Sequence, residues 1–345
     1  MHPDFNPGDP FALFRQFWQA ATPPGAQPFL PPMTEEDLDR KLAELKGIAA
    51  SIPNQGILIN TLGLQEAKDS SEIENIVTTH DELFKDDLSP ESQMSAASKE
   101  VLSYRQALYT GFRLVRETGL LTANHLIDIQ RELERNHAGF RKLPGTALKD
   151  GAGRTVYTPP QEPDAIVALM RDLEQAINDP DAVPVDPLIK MALIHHQFES
   201  IHPFSDGNGR IGRILCVLYL VRTGLLDTPV LYLSRYINQF KGDYYRLLQE
   251  VRDAEGDPSA SAASWQAWVV FMLNAVAQTA RQAVQLVGGM RDLMAEIKRR
   301  MRTDTPKLYS QDLLNNLFRH PYTRIEFVQN DLGITRQTAA RYLRQ

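Results

Sequence analysis

The chain has 345 residues, 43% hydrophobic and 23% charged, with a formal net charge of −6, enough length and apolar content for two or three domains with real cores. It contains no run of about 18 apolar residues and no basic, apolar, small-residue leader, which reads as a cytoplasmic protein with no membrane partner. A single cysteine, Cys216, excludes an internal disulfide, and its place in an apolar run makes it a core thiol.

The first 32 residues hold eight prolines and scattered aromatics, the composition of an extended or disordered arm, assigned to 1–33. A helix is expected from near Thr34, which can cap it, with Glu35, Glu36 and Asp37 in the first turn. Gln65 to Leu83 reads as a second helix and Ser98 to Glu117 as a third. Thr146-Ala147-Leu148 and Thr155 to Thr158, separated by a turn with Asp150-Gly151 and Gly153, form the one convincing hairpin. Leu188 to Ser200 has helical periodicity, and the apolar run Ile214 to Val221 reads as a buried helix. Tyr232 to Val251 and Ser264 to Ala280 also look helical, with Asp253 to Ser264 as a loop between them. Leu308 to Arg319, Thr323 to Asn330 and Thr335 to Arg344 read as three short helices, with Leu332-Gly333-Ile334 as a tight turn. The expected fold class is therefore mainly α with one small β-hairpin.

Charge divides unevenly along this chain. Residues 291–345 carry 11 Lys or Arg against 6 Asp or Glu, a balance of +5, so the remainder carries −11. A basic tail on an acidic body suggests a separate partner for the tail. Its last helix offers Arg336, Gln337, Thr338, Arg341 and Arg344, residue types suited to phosphate and base-edge contact. Helical protein-interaction modules use the same scaffold, so a DNA partner and a protein partner both stay open.

The chemistry concentrates in His202-Pro203-Phe204-Ser205-Asp206-Gly207-Asn208-Gly209-Arg210-Ile211-Gly212-Arg213. Glycines on both sides of Asn208 allow positive φ, so that successive N–H groups can form a concave anion nest at the start of the next helix. Phosphate oxygens bind well at such a helix N-terminus. Arg210 and Arg213, at i and i+3, project from one helical face toward a common ligand. His202 can accept a proton near neutral pH, and Asp206 is a hard oxygen ligand suited to Mg²⁺ shared with phosphates. The embedded Gly207-x-Gly209-x-x-Gly212 is not a dinucleotide fingerprint, because no β-strand precedes it. His195, His196, Glu199 and His202 do not read as a zinc cluster, since adjacent helical residues point about 100 degrees apart.

The twelve residues resemble the Fic motif, H-P-F-x-D-G-N-G-R-x-x-R, at every specified position. Ser70-Ser71-Glu72-Ile73-Glu74-Asn75 is similar to the family's inhibitory helix, S/T-x-x-x-E-G/N, and Arg141 to Pro160 to its flap hairpin. With the tail, the resemblance to bacterial Fic proteins carrying a winged-helix-like end covers about residues 35 to 345, although no wing segment follows the last helix. It divides the chain into an N-terminal helical region with the inhibitory helix (34–97), a Fic catalytic bundle (98–290) and a helix-turn-helix tail (291–345).

The resemblance implies a protein adenylyltransferase that uses ATP with Mg²⁺ and modifies a Ser, Thr or Tyr hydroxyl of a target protein. His202 would deprotonate that hydroxyl and Asp206 would hold Mg²⁺. Gly207, Asn208 and Gly209 would supply the anion-hole N–H groups, and Arg210 and Arg213 would neutralise the β- and γ-phosphates. Tyr244, Tyr245 and Leu248 match the wall around the base, and Thr146, Ala147 and Leu148 the flap edge. Gly209, where the family's kinases have Lys, favours nucleotidyl transfer; Arg252 stands where some relatives have Asn. Glu74, with Ser70 one turn earlier, would take the Arg213 guanidinium and hold the enzyme off. The alternatives are a DNA-binding regulator whose Fic core senses nucleotide, and a bifunctional enzyme that also removes AMP. Homodimerisation is left open.

Overall fold

The computed structural model describes residues 35–344 except 88, 90, 255 and 320–322. The proline-rich arm and the expected Thr34 cap lie outside these residues.

In chain order the helices are α1 (Glu35–Ala50), α2 (Gln55–Ile73), α3 (His80–Asp86), α4 (Ala96–Thr118) and α5 (Ala123–Glu134). The hairpin strands β1 (Leu148–Lys149) and β2 (Thr155–Tyr157) follow, and then α6 (Pro163–Asn178), α7 (Pro187–Ile201) and α8 (Asn208–Arg222). The chain closes with α9 (Leu233–Gln239), α10 (Lys241–Asp253), α11 (Pro258–Asp304), α12 (Gln311–Arg319), α13 (Ile325–Leu332) and α14 (Arg336–Arg344). Local chemistry sets many boundaries. Asn54, Thr79, Ser95, Thr122 and Asp186 each accept a backbone N–H in the first turn of the helix they precede, satisfying donors that the helix cannot. Gly119 and Gly333, both at positive φ, end α4 and α13.

Four expectations need correcting. The helix expected from Gln65 to Leu83 begins ten residues earlier, at Gln55, and stops at Ile73, because Asn75 takes φ 63 and turns the chain out of the helix. The loop expected from Asp253 to Ser264 shrinks to a few residues. Asp257 caps α11 by accepting the N–H groups of Ser259 and Ala260, and the Ala- and Ser-rich stretch that looked like a loop is helix. The helix expected from Ser264 to Ala280 is thus one 47-residue α11, running through the expected division at 290/291. Tyr232 to Val251 is likewise two helices, α9 and α10, meeting at Phe240.

The apolar run after the motif forms the centre of the molecule. From Arg210 through Val221 every residue of α8 is buried, with α4, α5 and α7 packed against it. α2 lies on α4 and α9, and α11 lies on α1 and α7. Trp268 of α11 is fully buried and donates its indole N–H to Ala192 O of α7 at 2.9 Å, which anchors the long helix on the central layer. Leu308, Leu313, Val328 and Ala339 make a smaller core for the last three helices. α12 joins the two cores, with Leu313 and Leu317 turned into the small one and Leu314 and Phe318 into the main one. Among the described residues no helix is long and apolar enough to cross a membrane.

β1 and β2 pair antiparallel, Leu148 opposite Tyr157 and Lys149 opposite Thr155. Asp150 shapes the turn by accepting the N–H groups of Ala152 and Arg154, each at 2.9 Å. Strand pairing starts only at Leu148, so Thr146 and Ala147 lead into the strand and are not part of it.

Candidate active site

α7 ends at Ile201, and His202 caps it at φ 49 and ψ 58, a left-handed conformation that is uncommon for a residue with a side chain. Its N–H donates to Phe198 O at 2.9 Å, and its carbonyl accepts Arg141 Nε at 2.8 Å. Arg141 also donates to Pro160 O, so one guanidinium ties both ends of the hairpin segment to the histidine. Burial, then the nearby Arg252 and Arg141 cations, lower the imidazole to about 4, and its Nδ1 is buried without a partner. His202 is therefore neutral at physiological pH, the form that can take a proton.

The loop from His202 to α8 is built around Asn208. Its Oδ1 accepts Phe204 N–H at 2.9 Å and its Nδ2 donates to Phe204 O at 2.8 Å, which leaves the residue's backbone to face the site. Gly207 precedes α8 at φ 79, and no side chain caps that helix, so its first N–H groups are open to an anion. Of the two glycines expected at positive φ, only Gly207 takes it. Gly209 lies inside the first helical turn, where a Cβ would strike Glu74 Oε1 and come within 3.1 Å of Arg213 Nη1. Asp206 projects beyond the helix start, its side chain 80% exposed, with Oδ1 accepting Gly207 N–H at 2.7 Å.

Arg213 is 1% exposed. Nε donates to Ser70 Oγ at 2.8 Å, and Nη2 donates to Ser70 O at 2.9 Å and Glu74 Oε1 at 2.8 Å. Nη1 is buried without a partner. Burial raises the Glu74 carboxyl, but the Arg213 charge and hydrogen bond outweigh it and hold Glu74 below the usual carboxylate range. Burial likewise disfavours the Arg213 charge, and Glu74 together with Tyr244, Tyr104 and Tyr245 more than offsets it. The two sites of the motif and of Ser70-x-x-x-Glu74, far apart in sequence, thus meet in one ion pair. Arg210 goes elsewhere than a shared ligand face, Nη1 donating to Glu100 Oε2 at 2.6 Å and Nη2 to Glu134 Oε1 at 2.8 Å.

The aromatic pair separates. Tyr244 is 1% exposed, packed against Trp268 and Phe271, with its hydroxyl 2.9 Å from His195 Nε2. Tyr245 is 44% exposed, and Leu248 is buried, its carbonyl 3.3 Å from His196 Nε2. Only Tyr245 presents a face to solvent. Of the flap residues, Thr146 O accepts Gln161 Nε2 at 3.0 Å and Leu148 begins β1.

Sequence reasoning missed several groups. Glu66, one turn before Ser70 on α2, is fully buried and accepts from Tyr104 Oη, Ser234 Oγ and Ser234 N–H, fixing α2 to α4 and α9. Burial raises this carboxyl to about 7 against those hydrogen bonds. Glu100, Glu134 and Arg141 were also missed. Their only local signal is charge on a helix or loop, which solvated faces share.

Residues 36–113 match the Fic/DOC family N-terminal model, 120–220 the Fic/DOC family model and 293–345 the C-terminal domain of SoFic-like protein adenylyltransferases. The chain belongs to the Fic/DOC family. It is 34% identical over 91 residues to a protein adenylyltransferase of Caenorhabditis elegans, covering 24% of this chain and 18% of that protein. It is 29% identical over 188 residues to a probable protein adenylyltransferase of Aquifex aeolicus, covering 53% of this chain and 55% of that one. The chain thus spans little over half the length of these relatives at most. A Fic domain containing signaling protein from Bacteroides thetaiotaomicron shares the fold, with TM-score 0.57 and 18% identity over 73% of this chain and 97% of that one. A Fic family protein from Desulfovibrio desulfuricans does so with TM-score 0.53 and 21% identity over 91% of this chain and 89% of that one.

Proposed function

We propose that the protein is an adenylyltransferase that moves AMP from ATP to a Ser, Thr or Tyr hydroxyl of a target protein. The observation that carries this reading is a neutral imidazole, His202, standing beside an uncapped helix N-terminus. A base and an anion site so placed suit attack by a hydroxyl on a bound phosphate. His202 takes the hydroxyl proton as the acceptor oxygen bonds to the α-phosphorus. The bond from that phosphorus to the oxygen bridging to the β-phosphate breaks, and pyrophosphate leaves. Bound phosphates bring negative charge near His202 and raise its pKa from about 4 toward the working pH.

The backbone of Gly207, Asn208 and Gly209 receives the anion, with Arg213 as its cationic partner and Arg210 a second one once it leaves Glu100 and Glu134. Asp206, exposed and engaged through one oxygen by Gly207 N–H, fits a hard divalent cation, and Mg²⁺ held there would neutralise phosphate charge. Of the expected base wall, Tyr245 is the member with an exposed ring. The bundle 98–290 is the catalytic unit, 34–97 its regulatory attachment and 291–345 a partner-binding tail.

The Glu74–Arg213 pair supports a resting state that is switched off. A guanidinium engaged by a carboxylate and a serine is not free for a γ-phosphate. Removal of AMP from modified targets, with Glu74 aligning water, uses the same geometry. DNA binding by the tail is favoured by one feature, the exposed side of α14 that carries Arg336, Gln337, Arg341 and Arg344. His202→Ala tests the central reading. It abolishes transfer while ATP affinity survives; retained transfer refutes the base assignment.

A further inference from the structure

Arg252 on α10 is a partly buried cation with no carboxylate within ion-pair distance among the described residues. Nη2 donates to Glu199 O at 3.1 Å and Nε to Ser200 Oγ at 3.2 Å, both in the last turn of α7 before His202. Its guanidinium carbon lies 4.2 Å from the centroid of the Tyr157 ring on β2. Tyr157 closes the circuit by donating its hydroxyl to Ser200 O at 3.0 Å. Less than a turn earlier on α10, Gln249 Nε2 donates to Val156 O at 3.0 Å. One helix therefore grips both β2 and the end of α7. The other edge of β1 has no strand beside it among the described residues, which leaves it open to an added strand.

We propose that Arg252 is a positioning residue that locks the hairpin and the His202 imidazole into one rigid unit, so that a target segment laid along β1 arrives with its hydroxyl at the base. This rests on the AMP-transfer reading. A planar guanidinium can stack on a ring and donate in its plane at the same time, which an ammonium cannot do. Partly desolvating a cation without a carboxylate partner costs the fold stability, and its position beside His202 gives that cost a purpose. The charged groups facing His202 are Arg252 from α10, Arg141 from the loop before the hairpin and Glu74 from the end of α2, while Glu199 of α7 acts on it through its backbone. The two arginines oppose protonation of the imidazole and Glu74 favours it. Removing Arg252 raises the imidazole's pKa yet leaves it neutral at physiological pH, so the titration reports the lost cation and any loss of target use reports lost positioning.

The test uses the full chain with Arg252→Gln and Arg252→Lys, each also combined with Glu74→Gly. The His202 ring is titrated by NMR, its resonance assigned by its loss in His202→Ala. Arg252→Gln is expected to raise the His202 midpoint by about one pH unit and the KM for target by about tenfold, with the Kd for ATP within about twofold. Arg252→Lys is expected to keep the low midpoint yet show the raised KM, because charge survives and the stack does not. An unmoved midpoint in Arg252→Gln, or equal losses of ATP and target binding, overturns the proposal. The NMR titration needs no catalysis, so absent AMP transfer in the Glu74→Gly protein refutes the functional reading and leaves the titration to decide on Arg252.

Discussion

Arg213 Nη2 lies 2.8 Å from Glu74 Oε1, across a sequence separation of 139 residues. The same guanidinium is held by both oxygens of Ser70, so the end of α2 occupies a cation that the phosphate site would use. Glu74→Gly is expected to raise the initial rate of AMP transfer at least about tenfold, since a displaced charge-assisted hydrogen bond is worth more than about 1.4 kcal/mol. The rate is measured with fresh, unmodified target, which excludes the reverse reaction. Adding Arg213→Ala to Glu74→Gly removes the gain, because the freed arginine is what improves nucleotide placement. An unchanged rate in Glu74→Gly contradicts the inhibitory role.

The hairpin makes a second prediction. Proline at Leu148 deletes a backbone N–H on β1 and disturbs its pairing with β2. Leu148→Pro is expected to lower target modification by about tenfold or more while ATP affinity stays within about twofold. Isothermal titration with ATP and initial rates with target separate the two effects. Equal loss of both means that the hairpin serves stability alone.

Glu66 predicts a pH effect on stability. Burial raises its folded carboxyl to about 7 from an ordinary 4.5, so between those values the folded state binds more protons than the unfolded one. Its contribution to stability therefore falls as pH rises from about 4.5 to 7 and is constant above. His195 and His196, lowered by burial to about 3, act in the opposite sense as pH rises from about 3 to 6.5. Glu66→Gln removes the first slope and leaves the second. Its melting temperature relative to the parent is expected to climb from pH 5 to pH 7, and a constant difference refutes the assignment.

Gly111 on α4 predicts a packing effect. A Cβ there would lie 2.5 Å from Leu218 Cδ1 and 2.8 Å from Ile129 Cδ1, both side chains fully buried. Alanine gains about 1 kcal/mol of helix propensity over glycine, but overpacking a closed core costs about 1–3 kcal/mol. Gly111→Ala is expected to destabilise the protein by about 1–2 kcal/mol, read from the urea midpoint at constant slope. A stabilised variant contradicts the close approach of α4 to α8.

The site was legible where its chemistry is local. His202, Asp206, Gly207, Asn208, Gly209 and the start of α8 lie within a few residues, and turn and helix-start rules read them together. Glu74 could be named only through its resemblance to a known pattern, since an isolated helix carboxylate looks like any solvated charge. Glu66, Glu134 and Arg141 act through contacts across the bundle that leave no periodic mark on the chain. The length of α11 escaped for another reason. Its start mixes Ser, Gly and Asp with Ala as loops do, but alanine favours helix and Asp257 caps it there. The small residues Asn75 and Gly207 likewise decide where chain direction changes, through φ values that spacing does not specify.

The most direct measurement of the central claim follows the label. The Glu74→Gly protein is incubated with target and Mg²⁺ in parallel with ATP labelled at the α-phosphate, at the adenine and at the γ-phosphate. The account predicts that α-phosphate and adenine labels enter the target in equal amounts, that the γ label leaves with pyrophosphate, and that His202→Ala stops all incorporation. Incorporation of the γ label, or of the α label without adenine, would contradict it.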